Sequence, residues 1–407
     1  MIWSIAWKNI WRNKLRSLIV IAAVFLGVTG GIFSSAVMNG AAQQRIRDYI
    51  DLESAHIRID NPKFDENNEV GFFIPQADSI CQIIAQNENA EAVTARINIQ
   101  AMAATASANG GVKVLAIDPE TEKQVFKMQE TICDTCGDFF ATNKANRVVI
   151  GDKLAKKLNL KLKSKIVLTF QDLEGNLISA AFKVSGIFHT SNNAVNEYRI
   201  FVRRSDFQPL IMMPEGAASE IYVRLKDSDK IDENAAVFKK LFPQLNIQTW
   251  RETDPSVGYV DQMMNAFMYL FMFIILLAIG FGIVNTMLMI VLERTRELGM
   301  LASIGVTRRR LFAMITLETT LLSLIGGVSG MIVSKIVIVW TGNTGLDLSS
   351  IGQGLEAAGY SSFIYPSVSW SFFFGVSILI VLTGIIASLY PARKATKLNP
   401  ADAVRID

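Results

Sequence analysis

Residues 293–310 read ERTRELGMLASIGVTRRR, a charged interruption between two long apolar runs at 267–292 and 311–340. Runs of that length are what a bilayer crossing requires, so the interruption is a short loop at one membrane face. Within it Leu298, Leu301, Ala302 and Ile304 alternate with Glu293, Arg294, Arg296 and Glu297 at roughly helical spacing, and Gly305 stands where a helix would stop. The pattern predicts a short surface helix between two spans. Two readings follow from it: a basic loop whose arginines fix topology, or a docking helix that passes force from a soluble partner into the membrane.

Working outward, the 407 residues are half apolar, with 10 prolines and a positive mean hydropathy of +0.30. That composition describes an integral membrane protein with room for one sizeable aqueous domain. A net charge of +3 is too small to argue for a nucleic-acid partner. The placement of charge is more informative. Lys8, Arg12, Lys14 and Arg16 precede the first apolar run, five arginines lie in 293–310, and Arg393, Lys394, Lys397 and Arg405 follow the last run. Residues 341–369 hold no Lys or Arg, so the positive-inside rule puts both termini and the arginine loop in the cytoplasm.

Four transmembrane helices are therefore expected at 17–40, 263–292, 311–340 and 370–390. Residues 1–16 carry Trp3, Trp7, Ile10 and Trp11 at helical spacing among basic residues, the pattern of an amphipathic helix in the cytoplasmic headgroup region. The run 18–38 is long for a signal-peptide core and lacks a small-x-small cleavage site, which predicts an uncleaved anchor. Gly27, Gly30 and Gly31 within it would permit close helix packing.

Between 41 and 262 the composition turns polar and no apolar stretch is long enough to cross a bilayer. One large α+β extracytoplasmic domain, inserted between spans 1 and 2, is expected there. Strand-like alternation recurs at 54–60, 93–99, 112–117, 147–150, 165–170, 177–187, 199–202, 219–225 and 246–250. Helical patterns occupy 77–87, 153–158, 205–212 and 229–241, and Gly175-Asn176 suits a hairpin turn. Residues 341–369 form a second outer loop, and 391–407 a cytoplasmic tail in which Pro391 stops or bends the last helix.

Chemistry-bearing residues are few. Cys133 and Cys136 form a CxxC, but the chain has only His56 and His189 to complete a zinc site. A local disulfide or two inert thiols fits better, and no metal is expected. Asn285, the strongly polar residue of span 2, is expected to pack against another helix. Glu318 in span 3 is an intramembrane carboxylate, expected to be neutral or hydrogen-bonded within the bundle and to orient the charged loop, with proton coupling as the other possibility. Lys335 lies near the outer end of the same span and can snorkel. No GxxxxGK[ST] phosphate loop occurs, so any ATPase is expected on a separate polypeptide.

The order Glu293-Arg294, Arg296-Glu297-Leu298-Gly299, Ile304-Gly305 and Thr307-Arg308-Arg309 resembles the coupling helix of the MacB/LolC/LolE superfamily of ABC transporter permeases, the FtsX-like permease family. The resemblance extends to VLAIDP at 114–119, VVIG at 148–151 with Leu154, Ala155 and Leu158, KVSGIF at 183–188 and IFV at 200–202. It continues through LETTLLSLIGGVSG at 317–330, which carries an acidic residue in the family's place, and through PARKA at 391–395 with Leu398-Asn399-Pro400-Ala401. Ala116 and Ser164 stand where the family commonly has glycine.

The resemblance implies a non-catalytic permease subunit in the bacterial cytoplasmic (inner) membrane, with a periplasmic domain made of a porter-like part and a mostly β part. It implies two copies of an ABC ATPase carrying ATP-Mg, a second permease copy or paralogue, and no cofactor on this chain. Work would be done by mechanotransmission. The implied cargo is a lipoprotein; a tripartite efflux permease for peptides or toxins, or a regulator of an extracytoplasmic enzyme, are the alternatives. On the docking reading Leu298, Gly299 and Leu301 would be buried in the ATPase, with Arg294, Arg296 and Glu297 at the rim.

Overall fold

The computed structural model describes residues 2–12, 14–67, 69–140 and 144–397, apart from the side chains of residues 2, 4–6, 65–67 and 302. Leu398, Asn399, Pro400, Ala401 and Arg405 of the expected tail lie outside the described residues. The chain divides into two compact units, a helical one of residues 1–41, 263–347 and 363–407 and a mixed one of 42–262 and 348–362.

In the helical unit a short N-terminal helix, Ile2–Arg12, precedes four helices long and apolar enough to cross a membrane: Lys14–Tyr49, Pro255–Glu293, Arg308–Thr344 and Trp370–Thr396. Spacing explains the packing of the first. Val20, Val24, Val28, Ile32 and Ala36, each four residues apart, make one buried stripe. Small residues then bring the backbones together. A Cβ on Gly27 or Gly31 would collide with Ile279 or Met272 of the second long helix, and one on Gly326 or Gly330 of the third would strike the Ile21 or Phe25 carbonyl of the first. Gly30, by contrast, faces open space.

Pro391 does not stop the fourth long helix, which runs on to Thr396 with Pro391 buried inside it. The ammonium of Lys335 sits 4.6 Å above the Trp370 ring, so the aromatic face of the neighbouring helix receives it.

The mixed unit holds one ten-stranded sheet, ordered β10-β1-β9-β2-β3-β8-β5-β7-β4, with β6 pairing to both β2 and β7. Its strands are β1 (Ile57–Asp60), β2 (Ala90–Ala104), β3 (Asn109–Ile117), β4 (Ile132–Gly137), β5 (Arg147–Gly151), β6 (Lys165–Gln171), β7 (Leu177–Phe188), β8 (Arg199–Arg203), β9 (Glu220–Leu225) and β10 (Asn246–Thr249). The 15-residue β2 organises it. Its first half pairs with β9, and its second half turns to β3 and β6. The first half belongs to an α/β layer drawn from both ends of the segment, where β10, β1 and β9 pack with helices Ala77–Ala85 and Ile231–Leu241 around Ile59, Ile221, Val223 and Phe238. The second half belongs to the mostly β part, whose core includes Ile97, Val114, Ile150, Phe170 and Phe182.

The hairpin at Gly175 closes as its sequence predicts, with Gly175 at φ +86° and the Asp172 carboxylate accepting from the Glu174 and Asn176 amides. Residues 50–54 continue the first long helix as a π turn, so β1 begins three residues later than the alternation from 54 suggested. Cys133 and Cys136 are joined by a disulfide in β4, a strand the sequence reading missed. Burial pushes the remaining Cys81 thiol up to about 12, which keeps it protonated and inert.

Candidate functional site

The charged stretch folds into a nine-residue helix, Thr295–Ser303, between the second and third long helices. It ends as a glycine allows. Gly305 takes φ +99°, and the Val306 amide reaches back 3.1 Å to the Leu301 carbonyl, the six-to-one bond of a Schellman-type cap. Thr307 is the extended N-cap of the next helix. The loop is therefore a defined helix with a defined stop.

Its two faces differ. Leu298 is 3% exposed and joins the apolar cluster of the bundle that includes Ile10, Val291, Leu311 and Ile315, with Leu301 packed against that cluster. Gly299 is also buried. Arg296, Met300, Ser303 and Ile304, spaced at i, i+4, i+7 and i+8, form the opposite face. Met300 is 46% exposed and Ile304 82%. The expectation that Leu298 waits for a partner's cleft is corrected by this geometry, since the chain's own bundle buries it; Leu301 is half-buried against the same bundle. Among the described residues of this loop the exposed large apolar side chains are Met300 and Ile304.

Beneath the helix lies a layer of charge. Arg294 donates to Glu297 at 3.1 Å and to both oxygens of Glu318 at 3.3 and 3.4 Å. Glu318 is 4% exposed, so the intramembrane carboxylate is buried and held by the root of the loop, and Asn9 of the N-terminal helix lies against it. Glu297 also accepts from Arg12, and Glu293 pairs with Arg16. The hydrogen bond from Arg12 holds the Glu297 carboxyl below the usual glutamate range, Arg294 adds to that, and partial burial opposes it. The same bond raises the Arg12 guanidinium.

Asn285 lies on the outer face of its helix within this chain. The inward positions of its helix are taken by Ile283, Met287 and Ile290, which leaves Asn285, two residues from the first and two from the second, on the exposed surface. Arg12 and Arg16 were missed as members of the site. A signal was present: two cations four residues apart match two carboxylates, Glu293 and Glu297, also four apart. Among the described residues no group of three or more His, Cys, Asp and Glu side chains could hold a metal ion.

Comparison with known proteins matches the description "FtsX-like permease C-terminal" to residues 269–400 and "MacB-like periplasmic core domain" to residues 17–241. The chain is 26% identical over 428 aligned positions to the uncharacterized ABC transporter permease YknZ of Bacillus subtilis, covering 99% of this chain and 98% of that one. It is 24% identical over 425 positions to the lipoprotein-releasing system transmembrane protein LolC of Neisseria meningitidis, covering 97% and 96%. To the macrolide export ATP-binding/permease protein MacB of Brucella abortus it is 32% identical over 197 positions, 45% of this chain but 27% of that longer protein.

Proposed function

Given that the chain belongs to the MacB/LolC/FtsX family of ABC transporter permeases, we propose that it is a mechanically driven subunit whose ATP hydrolysis takes place on a separate partner chain. The observation that carries this reading is the two-faced loop helix, fixed to the bundle through Leu298 and Arg294 and presenting Arg296, Met300, Ser303 and Ile304 outward. A purely topogenic loop needs its arginines but needs no apolar side chains held in the open. Two ATPases and a second permease copy complete the assembly, and this chain binds no cofactor of its own.

The chain lies in the bacterial cytoplasmic membrane, with both termini and the loop helix in the cytoplasm and the mixed unit on the outer side, its main segment 42–262 inserted between the first and second spans. Its cargo is a lipid-anchored protein released from the outer leaflet. LolC, similar along almost its whole length and described as part of a lipoprotein-releasing system, supports that choice. Export of a small molecule is the second reading, favoured by the higher local identity to a macrolide exporter.

A double variant, Met300→Glu/Ile304→Glu, tests the docking face directly. Truncating or charging buried interface anchors costs about 1–4 kcal/mol, so the ATPase recovered with the purified permease should fall about tenfold or more while the permease still inserts and melts normally. Leu298→Ala should do the reverse, lowering thermal stability by about 2–5 kcal/mol through a hole in the bundle. Undiminished ATPase recovery with the double variant would sink the docking reading. Mass spectrometry of co-purified cargo, acylated protein or small molecule, separates the two cargo readings.

A further inference from the structure

The N-terminal helix is tied to the loop helix by charge along one edge and bare along another. On the bare edge Trp3, Trp7 and Trp11 stand exposed at four-residue spacing, followed by Leu15 and Leu18 at the start of the first long helix. On the tied edge Arg12 reaches Glu297 of the loop helix, and just beyond it Arg16 of the first long helix reaches Glu293, the last residue of the second long helix. Ile10, between these edges, is buried in the same apolar cluster as Leu298. Asn9 lies against Glu318, which Arg294 joins to the root of the loop helix. Three elements thus converge on one layer.

We propose that Arg12 and Arg16 are positioning residues of the coupling apparatus, the first latching the N-terminal helix to the loop helix and the second latching the start of the first long helix to the end of the second, so that a displacement of the loop helix is delivered to the first long helix as well as to the two that flank it. The proposal rests on the docking reading given above, since it concerns what the loop helix does with the force it receives. Without the latch the loop helix would have two covalent outlets, the second and third long helices that flank it. The latch adds the first long helix, whose far end continues into the mixed unit at residues 42–54. Both pairs are partly exposed, and exposed ion pairs contribute little to fold stability. The apolar contacts of Ile10 and Leu298 hold the fold, which leaves the arginines free to set the register between the two helices.

Arg16 and Glu293 give the cleaner test, because Glu297 is shared with Arg294 whereas Glu293 has no second ion pair among the described residues. Full-length permease would be reconstituted in nanodiscs with its ATPase as wild type, Arg16→Glu, Glu293→Arg and the combined swap. Two quantities would be read: permease-dependent ATP hydrolysis, and the distance distribution between spin labels on cysteines introduced at Lys8 and Ser303 of the otherwise cysteine-free chain. Each single reversal should broaden the distribution and lower permease-dependent hydrolysis about fivefold, and the swap should restore both to within about twofold of wild type.

If the swap restores neither, Glu293 acts on the ATPase directly and the latch is wrong. Unchanged distances and rates in the single reversals would overturn it equally. Should wild-type permease fail to retain an ATPase at all, the docking reading falls, while the distance measurement still decides whether the latch exists. Arg12→Gln serves as a milder variant if a charge reversal impairs insertion, with the expected change again a broadened distance distribution.

Discussion

At the scale of single residues, Arg96 in the mixed unit carries more than its position in the chain suggests. It is 1% exposed, donates from Nε and Nη2 to Glu122, and lies with its guanidinium carbon 3.5 Å from the Phe126 ring centroid and 4.7 Å from that of Tyr222. Nearby, Arg58 pairs with Asp60 and Glu220, and Asn98 and Tyr222 donate to Glu220. Removing one member of a buried pair strands the other charge without solvent, a loss of about 3–5 kcal/mol, whereas removing both can be nearly neutral. Arg96→Met should accordingly destabilise the mixed unit by that amount in thermal or proteolytic unfolding of the full chain. Arg96→Met/Glu122→Leu should recover most of it, and a single-variant loss below about 1 kcal/mol would show that the pair is not isolated from water. None of this was legible in the sequence. Residues 94–98 of β2 are buried on both faces, so the two-residue alternation that marks a half-buried strand vanishes where Arg96 sits, and an arginine there reads as surface.

Among the elements, the long helices and the loop helix were legible because hydropathy, charge and the Gly305 stop all point to the same boundaries. The orientation of the loop helix was not. Leu298 and Leu301 on one side are matched by Met300 and Ile304 on the other, so nine residues of amphipathic pattern do not say which apolar edge the bundle takes. The same ambiguity extends to Asn285. On the second long helix the exposed positions Ala278, Gly282, Asn285, Met289 and Leu292 follow a 4-3-4-3 spacing, the seam of a left-handed helix pair, with small residues where backbones would approach. An amide facing hydrocarbon is costly, and a second permease copy related by a two-fold axis would let the two Asn285 side chains satisfy each other. Cysteines introduced singly at Ala278 and Asn285 in a chain lacking Cys81, Cys133 and Cys136 should form oxidative dimers in membranes, and one at Thr383 on the fourth long helix should not. Dimers at Thr383 alone would move the second copy to another face.

For the whole molecule, topology depends on which segments share a side of the membrane. Hydropathy and the positive-inside rule assign residues 42–262 and 341–369 separately to the outer side, with nothing in the sequence to link them. The structure links them within the mixed unit. Residues 348–362 belong to the same compact unit as 42–262: their helix Gly352–Ala357 lies beside helix Asn193–Tyr198, and Gly359 sits against the Arg45 guanidinium. Two segments of one folded unit must lie on one side, which requires an even number of crossings between them. Crossings by the second and third long helices, which are long and apolar enough to span, would supply two and put the loop helix at their junction on the opposite side, as the charge count expects. Ser228, Ser350 and Ser303 are all exposed, one in each part of the mixed unit and one on the loop helix. Replaced singly by cysteine in a cysteine-free chain, the first two should react from outside intact cells with a membrane-impermeant maleimide, and the third only after the membrane is opened. Labelling of Ser228→Cys without Ser350→Cys would separate the two segments of the mixed unit, and outside labelling of Ser303→Cys would remove the loop helix from any cytoplasmic ATPase.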